Sequence, residues 1–218
     1  MDFKTDFKPL TVDPDKIYDY SFSIIAEEMG PHHFSEDEWK VVRRIIHASA
    51  DFELGRSVVI TPGAIEAGVN AILQGKHVIA DVQMIESGSG RKRFQKHGGD
   101  LHCYIADPDV VVEAKKQNAT RAIISMQKAV REHEGGIYAI GNAPTALLEL
   151  IRLVKEGIAK PDLIIGMPVG FVSAAESKEE LRKLEGIPYI TNIGRKGGST
   201  VTVAALNAIS ILADEQGK

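Results

Sequence analysis

Six short apolar runs rich in β-branched residues, SVVI, HVIADV, LHCYI, IYAIG, LIIGM and YITNI, recur along the chain with helical segments between them. Runs that stay apolar on successive residues, instead of alternating, suit strands covered on both faces. Repeating βα units leave few topologies, because each parallel crossover is right-handed and needs a helix-length connection. The expectation is a three-layer α/β/α doubly wound fold, flavodoxin-like, with a mostly parallel sheet of about five parallel strands. With 218 residues, 44% hydrophobic and 26% charged, a single domain over 1–218 can bury such a core.

Helix signals punctuate the same pattern. Asp13 can cap free amides and Pro14 suits a first turn, so a helix opens there and stops at Gly30-Pro31. Ser35 and Glu38 have capping-box spacing and open a second helix that runs to about Ala50. GAIEAGVNAILQG, PDVVVEAKKQNATRAIISMQKAVREHEG, APTALLELIRLVKEG, ESKEELRKLEG and STVTVAALNAISILAD complete the helical segments.

A formal net charge of −4 argues against a general affinity for nucleic acid or an anionic membrane, so any anion site must be local. Cys103 is the only cysteine, which excludes an intrachain disulfide, and MDFKTDFKPL lacks the apolar run of a secretory signal. A cytoplasmic location is expected. No apolar run approaches the roughly 20 residues that span a bilayer, so no membrane segment is expected. Cys103 lies in a predicted strand without a CxxC partner and reads as a buried, unreactive thiol.

Three Gly-rich segments follow three predicted strands directly: Gly141-Asn142-Ala143-Pro144-Thr145, Gly166-Met167-Pro168-Val169-Gly170 and Gly194-Arg195-Lys196-Gly197-Gly198-Ser199-Thr200. A parallel sheet puts all three on its carboxyl-end rim, where open α/β proteins bind ligands. Helices opening near Pro144 and Ser199 offer unpaired amides to carboxylates or phosphates. Any one loop is explained as well by tight turns and close packing; three at one rim favour binding. None matches the Walker A loop, and Gly88-Ser89-Gly90 lacks the final glycine of the dinucleotide fingerprint.

On the second helix, Lys40, Arg43, Arg44, His47 and Asp51 recur at spacings of three and four and share one face. Trp39, Val42 and Ile46, joined by Val41 and Ile45, make the apolar stripe. The polar face fits a solvated surface, and it also fits an acid beside a cationic anchor, since His47 exchanges protons near neutral pH and arginine holds carboxylates. His32, His33, His77, His97, His102 and His133 show no metal-site spacing with carboxylates, and no metal site is expected. Arg91-Lys92-Arg93 forms a compact cationic patch, and Arg121 opens another helix; both read as surface or as anchors.

IYDYSFSII, RRIIHASAD, GNAPTALLELI, GMPVGFVSAAESK and RKGGSTVTVAALNA resemble, in this order, segments of the precorrin-8X methylmutases and their cobalt-precorrin-8 counterparts. The likeness spans nearly the whole chain, and GNAPTAL and GMPVGFVSAAESK are its most specific parts. It implies an isomerase of cobalamin biosynthesis that moves a methyl group between neighbouring carbons of ring C, giving hydrogenobyrinate or its cobalt form, cobyrinate. It implies that His47 protonates or hydrogen-bonds a ring nitrogen and that Ser21 and Arg44 contact substrate. No redox cofactor or methyl donor is implied, because the migrating methyl is already on the substrate. A tetrapyrrole substrate and a homodimer are implied.

A carboxylate-rich macrocycle needs distributed cationic and amide donors above an apolar floor. Arg44, Arg91, Arg121, Arg195, Lys196 and the amides after Asn142 and Gly198, with Ser199, are candidate anchors. Two other classes compete: a carrier that binds a corrinoid without converting it, and a nucleotide or sugar-phosphate enzyme on the same fold. The first is opposed by His47 beside Arg44, the second by the missing phosphate-loop signatures.

Overall fold

The computed structural model describes residues 4–217. They divide into an N-terminal unit ending at His33 and a larger unit beginning at Phe34. The N-terminal unit is built on helix α1 (Pro14–Met29), whose cap Asp13 accepts the Asp15 amide at 3.1 Å and which Gly30 ends, as the sequence predicts.

The larger unit opens with α2 (Glu36–Ser49), where the Ser35–Glu38 capping box is formed in both directions. The order continues α3 (Phe52–Arg56), β1 (Val58–Ile60), α4 (Ala64–Leu73), β2 (Val78–Ala80), α5 (Gln83–Gly88), α6 (Arg91–Lys96) and β3 (Leu101–His102). Then come α7 (Pro108–Lys116), α8 (Arg121–Glu132), β4 (Ile137–Ile140), α9 (Pro144–Lys155), β5 (Leu163–Gly166), α10 (Ala174–Arg182), β6 (Tyr189–Asn192) and α11 (Ser199–Gln216).

The sheet runs β1-β6-β5-β4-β2-β3, with β1 antiparallel to β6 and every other pairing parallel. Renumbered among themselves, the five parallel strands follow the flavodoxin order 2-1-3-4-5, and the order reverses between β2 and β4. Side chains alternate across the buried sheet. Ile79, Tyr138, Ile140 and Ile164 pack with α8, α9 and α10 on one face. On the other, Leu163 and Ile209 approach Gly68 so closely that a Cβ there would lie 2.8 and 3.0 Å from them, pressing α4 and α11 onto β5. α2 then packs along α11, burying Val41, Val42, Ile45 and Ile46.

Within the segment 108–132 a second helix opens at Arg121, as the sequence predicts, because Asn118 turns left-handed at φ 50° and Thr120 caps α8 by accepting the Ile123 amide. Two local expectations change. The LHCYI strand is only Leu101–His102, and the segment around Arg91 forms the short helices α5 and α6. There the cationic patch is neutralised, Arg91 by Asp100 and Glu86, Arg93 by Asp214. Burial pushes the Cys103 thiol up to about 11, in keeping with an inert role. No helix is long and apolar enough to cross a membrane among the described residues.

At the amino-terminal edge His133, the C-cap of α8, lies against His102 and His77, with Tyr104 Oη 2.6 Å from its Nε2. Burial, then the neighbouring His102 and His77, hold His133 down to about 4. The unfolded chain therefore binds this proton first as pH falls. The contribution to stability is complete above about pH 6.5 and is lost progressively toward about 4. The unfolding temperature should drop across that window, and less steeply in His133→Gln; identical pH profiles for the two proteins would contradict this.

Candidate active site

The parallel register of β4, β5 and β6 puts the loops after them on one carboxyl-terminal rim, as the sequence predicts. Two backbone hydrogen bonds zip the second and third loops together: Gly198 N–H to Met167 O at 2.8 Å and Gly170 N–H to Arg195 O at 3.2 Å. Gly197 sits at φ 149°, and any Cβ there would collide with the carbonyl oxygen of Met167. Glycine is required because two backbones touch.

The first loop is held by a residue outside it. Asp81, directly after β2 and 1% exposed, accepts the amides of Gly141 (3.0 Å), Asn142 (2.9 Å) and Ala143 (2.7 Å). It stands where the strand order reverses. Burial pushes its carboxyl upward and the three amides pull it back, with burial the larger effect. The Asn142 amide is thus spoken for, and its exposed side chain is what remains for a ligand.

The third loop is supported from below by Lys178 of α10, 1% exposed, whose Nζ donates to Lys196 O at 2.6 Å and Asn192 Oδ1 at 3.3 Å. Asn192 Nδ2 donates to the same carbonyl at 2.8 Å. Desolvation pulls the Lys178 ammonium down to about 8.

The Lys196 side chain turns the other way and ties α3 to the rim, pairing with Asp51 at 2.7 Å and Glu53 at 2.9 Å. Asp51 caps α3 through the Leu54 amide and lies one helical turn beyond His47. His47, exposed in the last turn of α2, and Arg44, half-buried one turn earlier, lie on the helix that leads into this tie. Lys196 serves two carboxylates of its own chain. Gly198 and Ser199 begin α11, which no side chain caps, and Arg195 lies over the Phe171 ring at 5.9 Å. Phe171 and Val172 are 86% and 82% exposed, and with Val169 and Ile193 they make an apolar surface on the rim. Arg121 is on the same rim, since its neighbour Thr120 meets Thr145 Oγ1 of α9 at 3.2 Å, beside an open cleft of about 640 Å³. Ser21 belongs to the N-terminal unit, where its Oγ donates to Ile17 O at 2.8 Å.

Sequence reasoning passed over Asp81, Lys178 and the apolar loop tips. Lys178 had a signal: it falls between Ala174 and Leu181 on the buried stripe of α10, a core position that a lysine occupies only with partners. Asp81 had none, because the amides that donate to it lie about 60 residues away.

The precorrin-8X methylmutase family model matches residues 16–212. The cobalt-precorrin-8 methylmutase of Priestia megaterium is 67% identical over 214 residues, covering 98% of this chain and 95% of the relative. That of Leptospira interrogans is 51% identical over 205 residues, covering 91% and 93%. The crystal structure of a precorrin-8X methyl mutase from Thermus thermophilus superposes with a TM-score of 0.86 at 43% identity, covering 93% of this chain and 98% of that one.

Asp81→Asn would turn an amide donor toward backbone donors in a buried site. It should cost about 2 to 3 kcal/mol of stability, read as a lower urea midpoint. An unchanged midpoint would show that the three amides do not depend on the carboxylate.

Proposed function

Because this chain belongs to the precorrin-8X methylmutase family and is an isomerase of cobalamin biosynthesis, we propose that its carboxyl rim holds cobalt-precorrin-8 and moves a ring C methyl group to the neighbouring carbon. The cobalt-containing substrate is preferred over the metal-free one because the 67% and 51% identical relatives carry that name. Cobalt here is part of the substrate.

The observation that carries the reading is the convergence of three glycine-rich loops with the end of α2 through the Lys196–Asp51 pair. That rim combines the two surfaces a carboxylate-rich macrocycle needs. Phe171, Val172 and Val169 offer an apolar floor, and the uncapped start of α11 from Ser199 onward offers amides to acetate or propionate groups, the Gly198 amide being taken by Met167. Arg44, Arg121 and Arg195 are the cationic anchors, and Asn142 contributes its side chain. Lys196 acts first as the tie that orients the loop. Ser21 is a further substrate contact on this reading. His47 donates a proton, or a hydrogen bond, to a ring nitrogen as charge develops there, and the methyl group migrates with its bonding pair. The reaction consumes nothing beyond the substrate, so no cofactor or methyl donor is needed.

The protein acts as a homodimer in the cytoplasm on this reading. Exposed apolar side chains in the N-terminal unit, among them Leu10, Tyr20 and Ile24, supply a surface suited to a second copy.

His47→Ala should fold and bind the macrocycle but convert it about 10² to 10⁴-fold more slowly in a single turnover, and His47→Asn should fail likewise for lack of a transferable proton. Near wild-type conversion would remove His47 from the chemistry. Arg44→Ala should instead weaken binding by about 1.5 to 3 kcal/mol with a smaller effect on the bound reaction. Intact affinity with collapsed turnover would contradict an anchoring role.

A further inference from the structure

The amino-terminal edge of the sheet, opposite the rim, carries a second cluster of chemistry that the methyl shift does not use. His77 immediately precedes β2, His102 ends β3, and His133 caps α8 ahead of β4. One ring nitrogen from each lies within 4.8 Å of the other two, and all three residues are part-buried. The rings converge at centroid distances of 4.9 Å for His77–His102, 4.9 Å for His77–His133 and 4.5 Å for His102–His133.

We propose that His77, His102 and His133 bind one divalent ion of the zinc type, with a fourth position left to solvent. Three arguments converge. Two imidazole nitrogens bound to a tetrahedral ion at about 2.1 Å stand about 3.4 Å apart, and His102 Nε2 and His77 Nδ1 are already 3.3 Å apart. Imidazole sets without thiolate or carboxylate select zinc and its first-row neighbours over magnesium or calcium. Access exists as well, because a groove of about 300 Å³ borders His133 and Glu134.

His77 is held by the Asp100 amide, which approaches Nδ1 at 3.1 Å. Coordination through that nitrogen displaces this hydrogen bond. His133 is held by the Tyr104 hydroxyl at 2.6 Å from its Nε2, and Tyr104 stacks on His102 with its ring 4° from parallel. For His133, coordinating through its other nitrogen, the Tyr104 hydroxyl is the kind of outer partner that fixes ring orientation in established metal sites. Each ligand comes from a different part of the chain, so an ion would pin the starts of β2 and β4 to β3 at the edge where the sheet is shortest. This role is structural and separate from the rim.

The test uses the full chain without an affinity tag, stripped with EDTA and titrated calorimetrically with Zn²⁺. One ion per chain should bind and should raise the unfolding temperature. His102→Ala and His133→Ala should each weaken binding at least about 100-fold, whereas the double variant His32→Gln/His33→Gln should bind as wild type does. Co²⁺ used as a probe should give visible d–d bands that are lost in the same two variants. Should His102→Ala fail to fold, judged by circular dichroism, His102→Gln preserves size and polarity and carries the test. Absence of binding heat, or equal affinity in wild type and the His102 and His133 variants, overturns the proposal.

Discussion

The carboxylate of Asp81, shut away from water at the end of β2, accepts three consecutive amides from the loop that follows β4. That contact crosses the point where strand order reverses, the one place in a doubly wound sheet where adjacent loops leave in opposite directions and open a crevice. A loop spanning such a gap has donors with no strand beside them, and a buried donor without a partner costs about 1 to 3 kcal/mol. One carboxylate satisfies three. The start of α9, which no side chain caps, is fixed as a consequence.

The same device recurs two strands further along with the charges reversed. Lys178 rises from α10 into the sheet edge and donates to the carbonyl of Lys196, while the side chain of Lys196 reaches out to Asp51 and Glu53. A buried ammonium under the loop and an exposed ion pair over it set the loop's height and bind it to the α2–α3 corner. The exposed pair contributes little to stability, about 1 kcal/mol or less. Its role is to register the helix bearing His47 and Arg44 with the glycine-rich rim. The elements proposed to carry the binding chemistry are thus tied from both sides, which suits a site for a large planar ligand.

Much of this architecture was legible from residue pattern. The six apolar runs are the six strands, and the Asp13 cap, the Ser35–Glu38 capping box and the prolines place the starts of α1, α2 and α9 because those signals act within a single turn. The Gly-rich loops fall on one rim because parallel β4, β5 and β6 all end there. What escaped was long-range or lay at the end of an element. The strand at Leu101 stops after two residues where the pattern suggests five. Asp81 meets amides some 60 positions away, and His77, His102 and His133 come from three elements, so no spacing rule could group them. The antiparallel β1 was equally invisible, since an apolar triplet says nothing of direction.

Two ends of one sheet therefore carry different chemistry, glycine-rich loops with exposed apolar tips at the carboxyl rim, proposed here to hold the macrocycle, and an imidazole cluster at the amino edge. The central claim is that the macrocycle lies on the rim. A crystal structure with the corrinoid product bound tests it most directly. The account predicts the ring against Phe171, Val172 and Val169, peripheral carboxylates at the start of α11 and at Arg195, and a His47 ring nitrogen within hydrogen-bond reach of a macrocycle nitrogen. A ring bound away from these three loops, or bound on them with His47 out of reach, would contradict it.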